Sequence, residues 1–170
     1  MRRRSALVGG VAALAATGGA GVAVWRARSV ARDDEIWSQQ FDRPTGGQLA
    51  LGAFRGRPLL LNFWATWCPP CVRELPLLDR FHRDQPANGW QVVGLAVDNL
   101  APVVGFLDKR PVGFAIGLAG PSGIELARAL GNGGGALPFT AVFDRAGRLV
   151  QRKLGVIEPA DLQKWVDSMG

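Results

Sequence analysis

Cys68 and Cys71 are the two cysteines of this 170-residue chain, and two prolines separate them. Residues 59–64 before them are an apolar run of strand length, and from Cys71 onward apolar residues recur at three- and four-residue steps, as along one face of a helix. A sulfur at a helix start meets unpaired N–H groups and the positive end of the helix dipole, which stabilise a thiolate. The pattern predicts a dithiol in which an exposed Cys68 attacks a disulfide and a buried Cys71 resolves the mixed disulfide.

Composition limits the other uses of this cysteine pair. Two cysteines and one histidine, His82, cannot complete a four-ligand zinc site, and one C-x-x-C pair cannot build a disulfide scaffold. Two thiolates also bind Cu(I), so a copper chaperone is the alternative function, although neither histidine nor methionine stands near the pair to add a ligand. For His82 we expect a surface or boundary position. The composition therefore favours a redox pair.

The stretch around the cysteines carries a family resemblance. Residues 62–71, NFWATWCPPC, are close to the active-site string of the TlpA and ResA type of thiol-disulfide oxidoreductase, in the thioredoxin superfamily. Glu74 stands at that family's acidic position, three residues after the second cysteine. Residues 137–140 look like the segment that carries the family's cis-proline, here Pro138. The chain thus resembles this family at two separate motifs that occur in the expected order.

The resemblance implies a thioredoxin-like α/β fold, in which a central mixed β-sheet is flanked by helices. A strand–helix pair at residues 114–118 and 123–130 looks like the central insertion of the TlpA and ResA group. Alternation of strand and helix patterns agrees with a mostly parallel α/β sheet. Further strands or extended segments are predicted at residues 37–41 (as an edge strand), 48–54, 59–64, 90–98, 139–144 and 148–154, and further helices at residues 69–84, 100–109 and 158–168.

The resemblance also implies roles for residues near the cysteines. A cis peptide bond between Leu137 and Pro138 would expose the backbone N–H and C=O of Leu137 beside Cys68, ready to pair with an extended substrate strand. Trp67 would either contact substrate as an apolar rim or pack against this loop. The expected partners are disulfide-containing protein substrates and a membrane thiol donor of electrons, for a monomer that needs no cofactor. A peroxidase is a poorer match, because such relatives use a differently placed cysteine.

Glu74 is the candidate base for Cys71. Thioredoxins usually place an aspartate where Asn62 stands, and asparagine cannot accept a proton. Glu74 lies one turn beyond Cys71 on the predicted helix, and the family resemblance points to the same residue. The alternative is a solvated first-turn acid that the helix dipole stabilises.

Pro69 and Pro70 suit the first turn of a helix, where their missing N–H groups would have no partner in any case. They also remove two backbone donors near Cys68, so its thiolate gains fewer hydrogen bonds than in strongly oxidising relatives. We therefore expect a reducing protein.

Charge and hydropathy divide the chain at about residue 32. Residues 1–32 carry six arginines and no acid, whereas residues 33–170 carry 14 basic and 14 acidic side chains, so the body has no basic excess for nucleic acid. Residues 5–25 are uncharged and would span about 30 Å as a helix. We expect residues 1–32 to form an export segment kept as a membrane anchor, with a thioredoxin-like domain at 33–170 facing the periplasm. The alternative is a cleaved signal peptide and a soluble periplasmic protein.

Overall fold

The computed structural model describes residues 35–86 and 89–169, so the predicted anchor at residues 5–25 lies outside the described residues. No helix within the described ranges is long and apolar enough to cross a bilayer. The strands are β1 (Gln40–Asp42), β2 (Gln48–Ala50), β3 (Leu59–Trp64), β4 (Gln91–Ala96), β5 (Ala115–Leu118), β6 (Phe139–Phe143) and β7 (Leu149–Leu154). The helices are α1 (Pro69–Arg83), α2 (Leu100–Leu107), α3 (Gly123–Ala129) and α4 (Pro159–Met169), and Leu51–Phe54 form a short 3-10 helix.

All seven strands belong to one mixed sheet in the order β2-β1-β5-β4-β3-β6-β7. Strands β3, β4 and β5 are parallel to one another, and β6 and β7 continue the sheet as an antiparallel hairpin. β5, the strand of the predicted strand–helix pair, lies between β4 and β1 and is the outermost of the three parallel strands. The arrangement is the thioredoxin-like α/β fold that the sequence predicted.

The sheet separates two apolar cores, and alternate residues of β3 face each of them. Leu60 and Trp64 belong to the core under α1, α2 and α4. Leu59, Leu61 and Phe63 belong to the core on the opposite face, together with residues of α3. All six residues of β3 are buried, as expected of a central strand that is covered on both sides.

The prediction for the first strand is wrong in its bounds and position. Residues 35–37 are helical, and the first strand is Gln40–Asp42, which lies second in the sheet because β2 pairs outside it. The ring of Trp37 packs against Phe143 at 5.2 Å between centroids, and its Nε1 donates to the carbonyl of Gly147 over 3.0 Å. The helical residues 35–37 are thus held against the β6–β7 hairpin, and the extended strand begins only at Gln40.

Candidate active site

The two cysteines form a disulfide at the junction of β3 and α1. Their sulfurs are 2.04 Å apart. Cys68 is the N-cap residue of α1, and Cys71 lies in the first turn, where it is fully buried. The predicted dithiol pair is therefore present, with Cys71 in the inner position.

The predicted exposure of Cys68 is wrong for this disulfide form. Only 4% of the residue surface is accessible, because Cys68 packs with Cys71 in the core that lies under α1. Its neighbours in sequence are exposed: 65% of Trp67 is accessible, and Pro69 is also exposed. The disulfide thus lies just beneath the surface.

Backbone donors near Cys68 are few. Pro69 and Pro70 occupy the first two positions of α1 and carry no N–H group. The backbone N–H of Cys71 donates to Sγ of Cys68 over 3.4 Å. The shortage of donors that the sequence predicted around this sulfur is present.

Glu74 is buried in the core beneath α1, with 2% of its surface accessible. Oε1 accepts a hydrogen bond from Nδ2 of Asn62 over 2.7 Å, and Oε2 accepts one from the backbone N–H of Ile157 over 2.8 Å. The alternative of a solvated acid is therefore wrong, since both carboxylate oxygens are held by protein donors.

Burial raises the pKa of Glu74 above its ordinary value of 4.5. The hydrogen bonds from Ile157 and Asn62, and then the charge of Lys153, lower this pKa and offset the effect of burial only in part. A carboxyl group with a raised pKa holds its proton closer to neutral pH, which is the property that a group exchanging protons with a thiol needs.

Asn62 links Glu74 to the neighbouring strand. Its Nδ2 also donates to Oγ1 of Thr140 over 3.0 Å, and Asn62 and Thr140 are register partners between β3 and β6. Within the described residues, Oδ1 of Asn62 is buried without a hydrogen-bond partner. Sequence reasoning missed Thr140, although one polar residue in each of two otherwise apolar buried strands was a usable signal.

Asp98, at the end of β4, holds the loop that carries the cysteines. Its Oδ2 accepts hydrogen bonds from the backbone N–H and from the hydroxyl of Thr66, the former over 3.1 Å. Asn99 is the N-cap residue of α2, but neither its side chain nor the Asp98 carboxylate makes a hydrogen bond to the first turn of that helix. β3 and β4 are parallel, so their carboxyl ends meet at one edge of the sheet and Asp98 reaches Thr66 instead.

The peptide bond between Leu137 and Pro138 is cis, as predicted. The antiparallel register sets Phe139 opposite Phe63, so Pro138 lies level with the end of β3 that leads to the cysteines. The carbonyl of Pro138 accepts from the N–H of Gly155 over 2.9 Å. No hydrogen bond from another described residue engages the backbone N–H or C=O of Leu137.

A metal site is not evident in the same region. No group of three or more His, Cys, Asp and Glu side chains in the described part of the chain is placed to hold a metal ion. His82 is partly buried, and its ring lies 6.3 Å from that of Phe114, in the boundary position that the sequence predicted.

Comparison with known proteins gives a consistent family. The Redoxin family model matches residues 34–166. The thiol-disulfide oxidoreductase ResA of Geobacillus kaustophilus is 28% identical over 125 residues, which are 73% of this chain and 70% of that protein. The ResA of Bacillus thuringiensis subsp. konkukian is 25% identical over 122 residues, 71% of this chain and 68% of the relative.

Solved structures agree with these relatives. A thioredoxin-related protein from Neisseria meningitidis serogroup B has a TM-score of 0.67 and 27% identity, over 77% of this chain and 98% of its own. A thiol:disulfide interchange protein of the thioredoxin family from Chlorobium tepidum has a TM-score of 0.66 and 28% identity, over 78% and 92% of the two chains. None of these proteins supports the copper-chaperone alternative. The chain belongs to the Redoxin family and is a thiol-disulfide oxidoreductase of the thioredoxin superfamily.

Proposed function

We propose that this thiol-disulfide oxidoreductase reduces disulfides of exported proteins, with Cys68 as nucleophile and Cys71 as resolving cysteine. The Cys68 thiolate attacks one substrate sulfur, forming a mixed disulfide and releasing the other substrate sulfur as a thiolate. The Cys71 thiolate then attacks Sγ of Cys68 and releases the second substrate sulfur. Two electrons have passed to the substrate, and the protein is left with the Cys68–Cys71 disulfide.

The order of the two attacks rests on the asymmetry of the pair. Cys68 precedes the first turn of α1 and has exposed neighbours, whereas Cys71 is fully enclosed by the core. A substrate sulfur that approaches from solvent reaches the side of Cys68 first. This placement is the observation that carries the proposal.

Glu74 is the proposed proton acceptor for the second attack. Burial of Cys71 in an apolar core favours its thiol over its thiolate, so attack needs a base. Glu74 follows Cys71 by one helical turn and is buried in the same region of the fold. Its raised pKa lets it accept the thiol proton and later return that proton to solvent or substrate.

Substrate contacts are proposed at Trp67, Leu137 and Pro138. The large exposed fraction of Trp67 favours substrate contact over packing against the loop. The unengaged backbone of Leu137 supports pairing with an extended substrate strand, and Pro138 holds the loop level with the end of β3.

The site of action is proposed from residues 1–32. Their arginines and the uncharged run at 5–25 support an export segment, either retained as a membrane anchor or cleaved, with the domain facing the periplasm. A membrane thiol donor would return the disulfide to the dithiol, and the domain would act as a monomer.

Trapping of partners tests the proposal. In cells that carry Cys71→Ser, the mixed disulfide cannot be resolved, so we expect covalent adducts that a reducing agent releases. Cys68→Ser is the matched control and should form few adducts. Trapping by Cys68→Ser in place of Cys71→Ser would reverse the assigned roles, and adducts with neither variant would refute dithiol exchange with proteins.

A further inference from the structure

A groove runs along the surface between α1 and α2, starting at the active-site loop. Its first part is a cavity of about 450 Å³ that reaches from Thr66 and Val72 to Phe106. Its second part, about 310 Å³, continues over Val72 and Phe106 to Leu75 and Val112. The two parts are adjacent, because they share the lining residues Val72, Phe106 and Arg110, and we name them together the α1–α2 groove.

The floor of the α1–α2 groove is apolar and its rim is basic. Lys109 and Arg110 line the part nearer the cysteines, and Arg80 and Arg83 line the far part, all of them exposed. The guanidinium of Arg110 lies 5.8 Å from the ring centroid of Phe106, so this charge is placed over the floor.

Asp79 is the acid among the lining residues, and its charge is already compensated. Its Oδ2 lies 2.7 Å from a guanidinium nitrogen of Arg83, and its Oδ1 accepts from the backbone N–H of Gly113 over 2.6 Å. Asp79 is also buried, with 6% of its surface accessible. Among the residues that line the groove, Arg80, Lys109 and Arg110 therefore leave a positive excess, although residues 33–170 carry equal numbers of acidic and basic side chains.

Apolar side chains are exposed in the active-site loop and at the start of α2. Trp67 and Leu100 are 65% and 52% accessible, and they are two of the four large apolar side chains that are exposed in the described chain. Trp67 follows Thr66, which lines the groove, and Leu100 is two residues beyond Asp98, which accepts hydrogen bonds from Thr66. Exposed apolar surface next to a reactive site indicates a contact surface for a partner.

We propose that the α1–α2 groove binds one of the two polypeptide flanks of the substrate cysteine, the one that does not pair with Leu137, and that it selects a flank with apolar and acidic side chains. The proposal rests on the proposed function, because it places the attacked cysteine of the substrate at Cys68. The chain that leaves this cysteine must cross the surface, and the groove begins at Thr66, two residues away along the chain. The apolar floor fits apolar side chains, and the rim attracts carboxylates.

Two synthetic disulfide peptides test the selection. Both peptides have an apolar flank, and one carries glutamates there while the other carries lysines. The rate at which the protein reduces each peptide is divided by the rate at which it reduces bis(2-hydroxyethyl) disulfide, which is uncharged. We expect the acidic peptide to react about tenfold faster at low salt, with the ratio falling toward one at about 0.5 M salt.

Reversing the charges on the rim of the groove tests whether they cause the preference for the acidic peptide. The double variant Lys109→Glu and Arg110→Glu should reverse the preference, so that the lysine peptide reacts faster. Arg145→Glu is the matched control, because Arg145 is exposed in the turn between β6 and β7, at the opposite end of β3 from the cysteines. This control should keep the preference for the acidic peptide.

Failure of the groove and failure of the exchange mechanism give different results. Equal rates for the two peptides would contradict the proposal that the groove selects acidic flanks. So would a preference for the acidic peptide that persists in the double variant. Absence of reaction with the uncharged disulfide would overturn the proposed function. A binding measurement tests the groove without exchange chemistry. Cysteine-free versions of the two peptides are titrated into the oxidised protein, and tryptophan fluorescence reports their affinities. The acidic peptide must bind more tightly than the lysine peptide.

Discussion

The side-chain amide of Asn62 donates a hydrogen bond to Oε1 of Glu74 over 2.7 Å, and both residues are buried. A side chain of β3 thus holds the acid of α1 that we propose as the base for Cys71. Ile157, which precedes α4, holds the other carboxylate oxygen. A strand and a loop therefore fix the position of the proposed base on α1.

Replacement of Glu74 by glutamine should slow the attack of Cys71 on a mixed disulfide at Cys68. Loss of a general base typically costs on the order of 10²-fold in rate, and the pH dependence due to Glu74 should vanish with it. The measurement is the release of a fluorescent thiol from Cys68 between about pH 5 and pH 9. Glu125→Gln, on the exposed face of α3, is the control, and an unchanged profile in Glu74→Gln would remove the base role.

The raised pKa of Glu74 should also appear in the stability of the oxidised protein. The folded state holds this proton more tightly than the unfolded chain, so the free energy of unfolding falls as the pH rises from about 4.5 through the folded pKa. One proton limits the slope to about 1.4 kcal/mol per pH unit. Urea unfolding at a series of pH values measures it, and Glu74→Gln should flatten the curve in this window.

The titration of Asp144 affects the free energy of unfolding in a lower pH range than that of Glu74, so the two effects can be distinguished. Burial alone would raise the pKa of Asp144, but hydrogen bonds from Arg148 and the charge of Arg148 together lower it below 3.8. Its contribution to stability is present above that value and is lost as the pH falls. A slope of the opposite sign between pH 4.5 and neutrality would contradict the assignment to Glu74.

Asn62→Asp should place two carboxyl groups in contact and destabilise the oxidised protein at neutral pH by about 2–4 kcal/mol. The loss should shrink at about pH 5, where the pair shares one proton. The measurement is the free energy of unfolding in urea. Adding Glu74→Gln should recover most of the loss, because a glutamine amide can donate to the new carboxylate. A double variant as unstable as Asn62→Asp would show that the two side chains do not interact.

Removal of the Asp98 side chain should loosen the loop that carries Trp67 and Cys68. Asp98→Ala deletes both hydrogen bonds to Thr66 and should cost about 1–3 kcal/mol, whereas Thr66→Val keeps the backbone bond and should cost about 1 kcal/mol. Urea unfolding compares them, with Asp108→Ala at the exposed end of α2 as control. Equal losses in Asp98→Ala and the control would exclude this role for Asp98.

Restoring backbone donors beside Cys68 should raise the reduction potential. The wild-type potential is expected to be well below about −120 mV, the value for a strong oxidant. Pro69→Ala with Pro70→Ala supplies two N–H groups that stabilise the Cys68 thiolate and hence the reduced form. Equilibration with glutathione buffers measures the change, and Pro159→Ala at the first residue of α4 is the control. A potential that falls or stays constant in the double variant would contradict this explanation.

Local patterns in the sequence were sufficient to predict the strand and the helix that carry the site. The apolar run of β3, the first turn with its two prolines and the change of period after Cys71 each extend over a few residues, so they can be recognised without knowledge of distant contacts. The same holds for the β6–β7 hairpin, whose turn contains Gly147 with φ of 81°. The cis peptide bond before Pro138 was predicted from family resemblance and not from composition.

Only the tertiary structure decided the environment of each functional group. Glu74 and Ile157 are 83 residues apart, and no local pattern specifies that a backbone N–H from this loop meets a carboxylate on α1. The exposure of Cys68 was wrongly predicted for the same reason, because a helix start shows where a residue lies along the chain but not how deeply the neighbouring elements bury it. Burial, hydrogen-bond partners and the pKa of Glu74 all depend on packing between elements, so they follow from the fold as a whole.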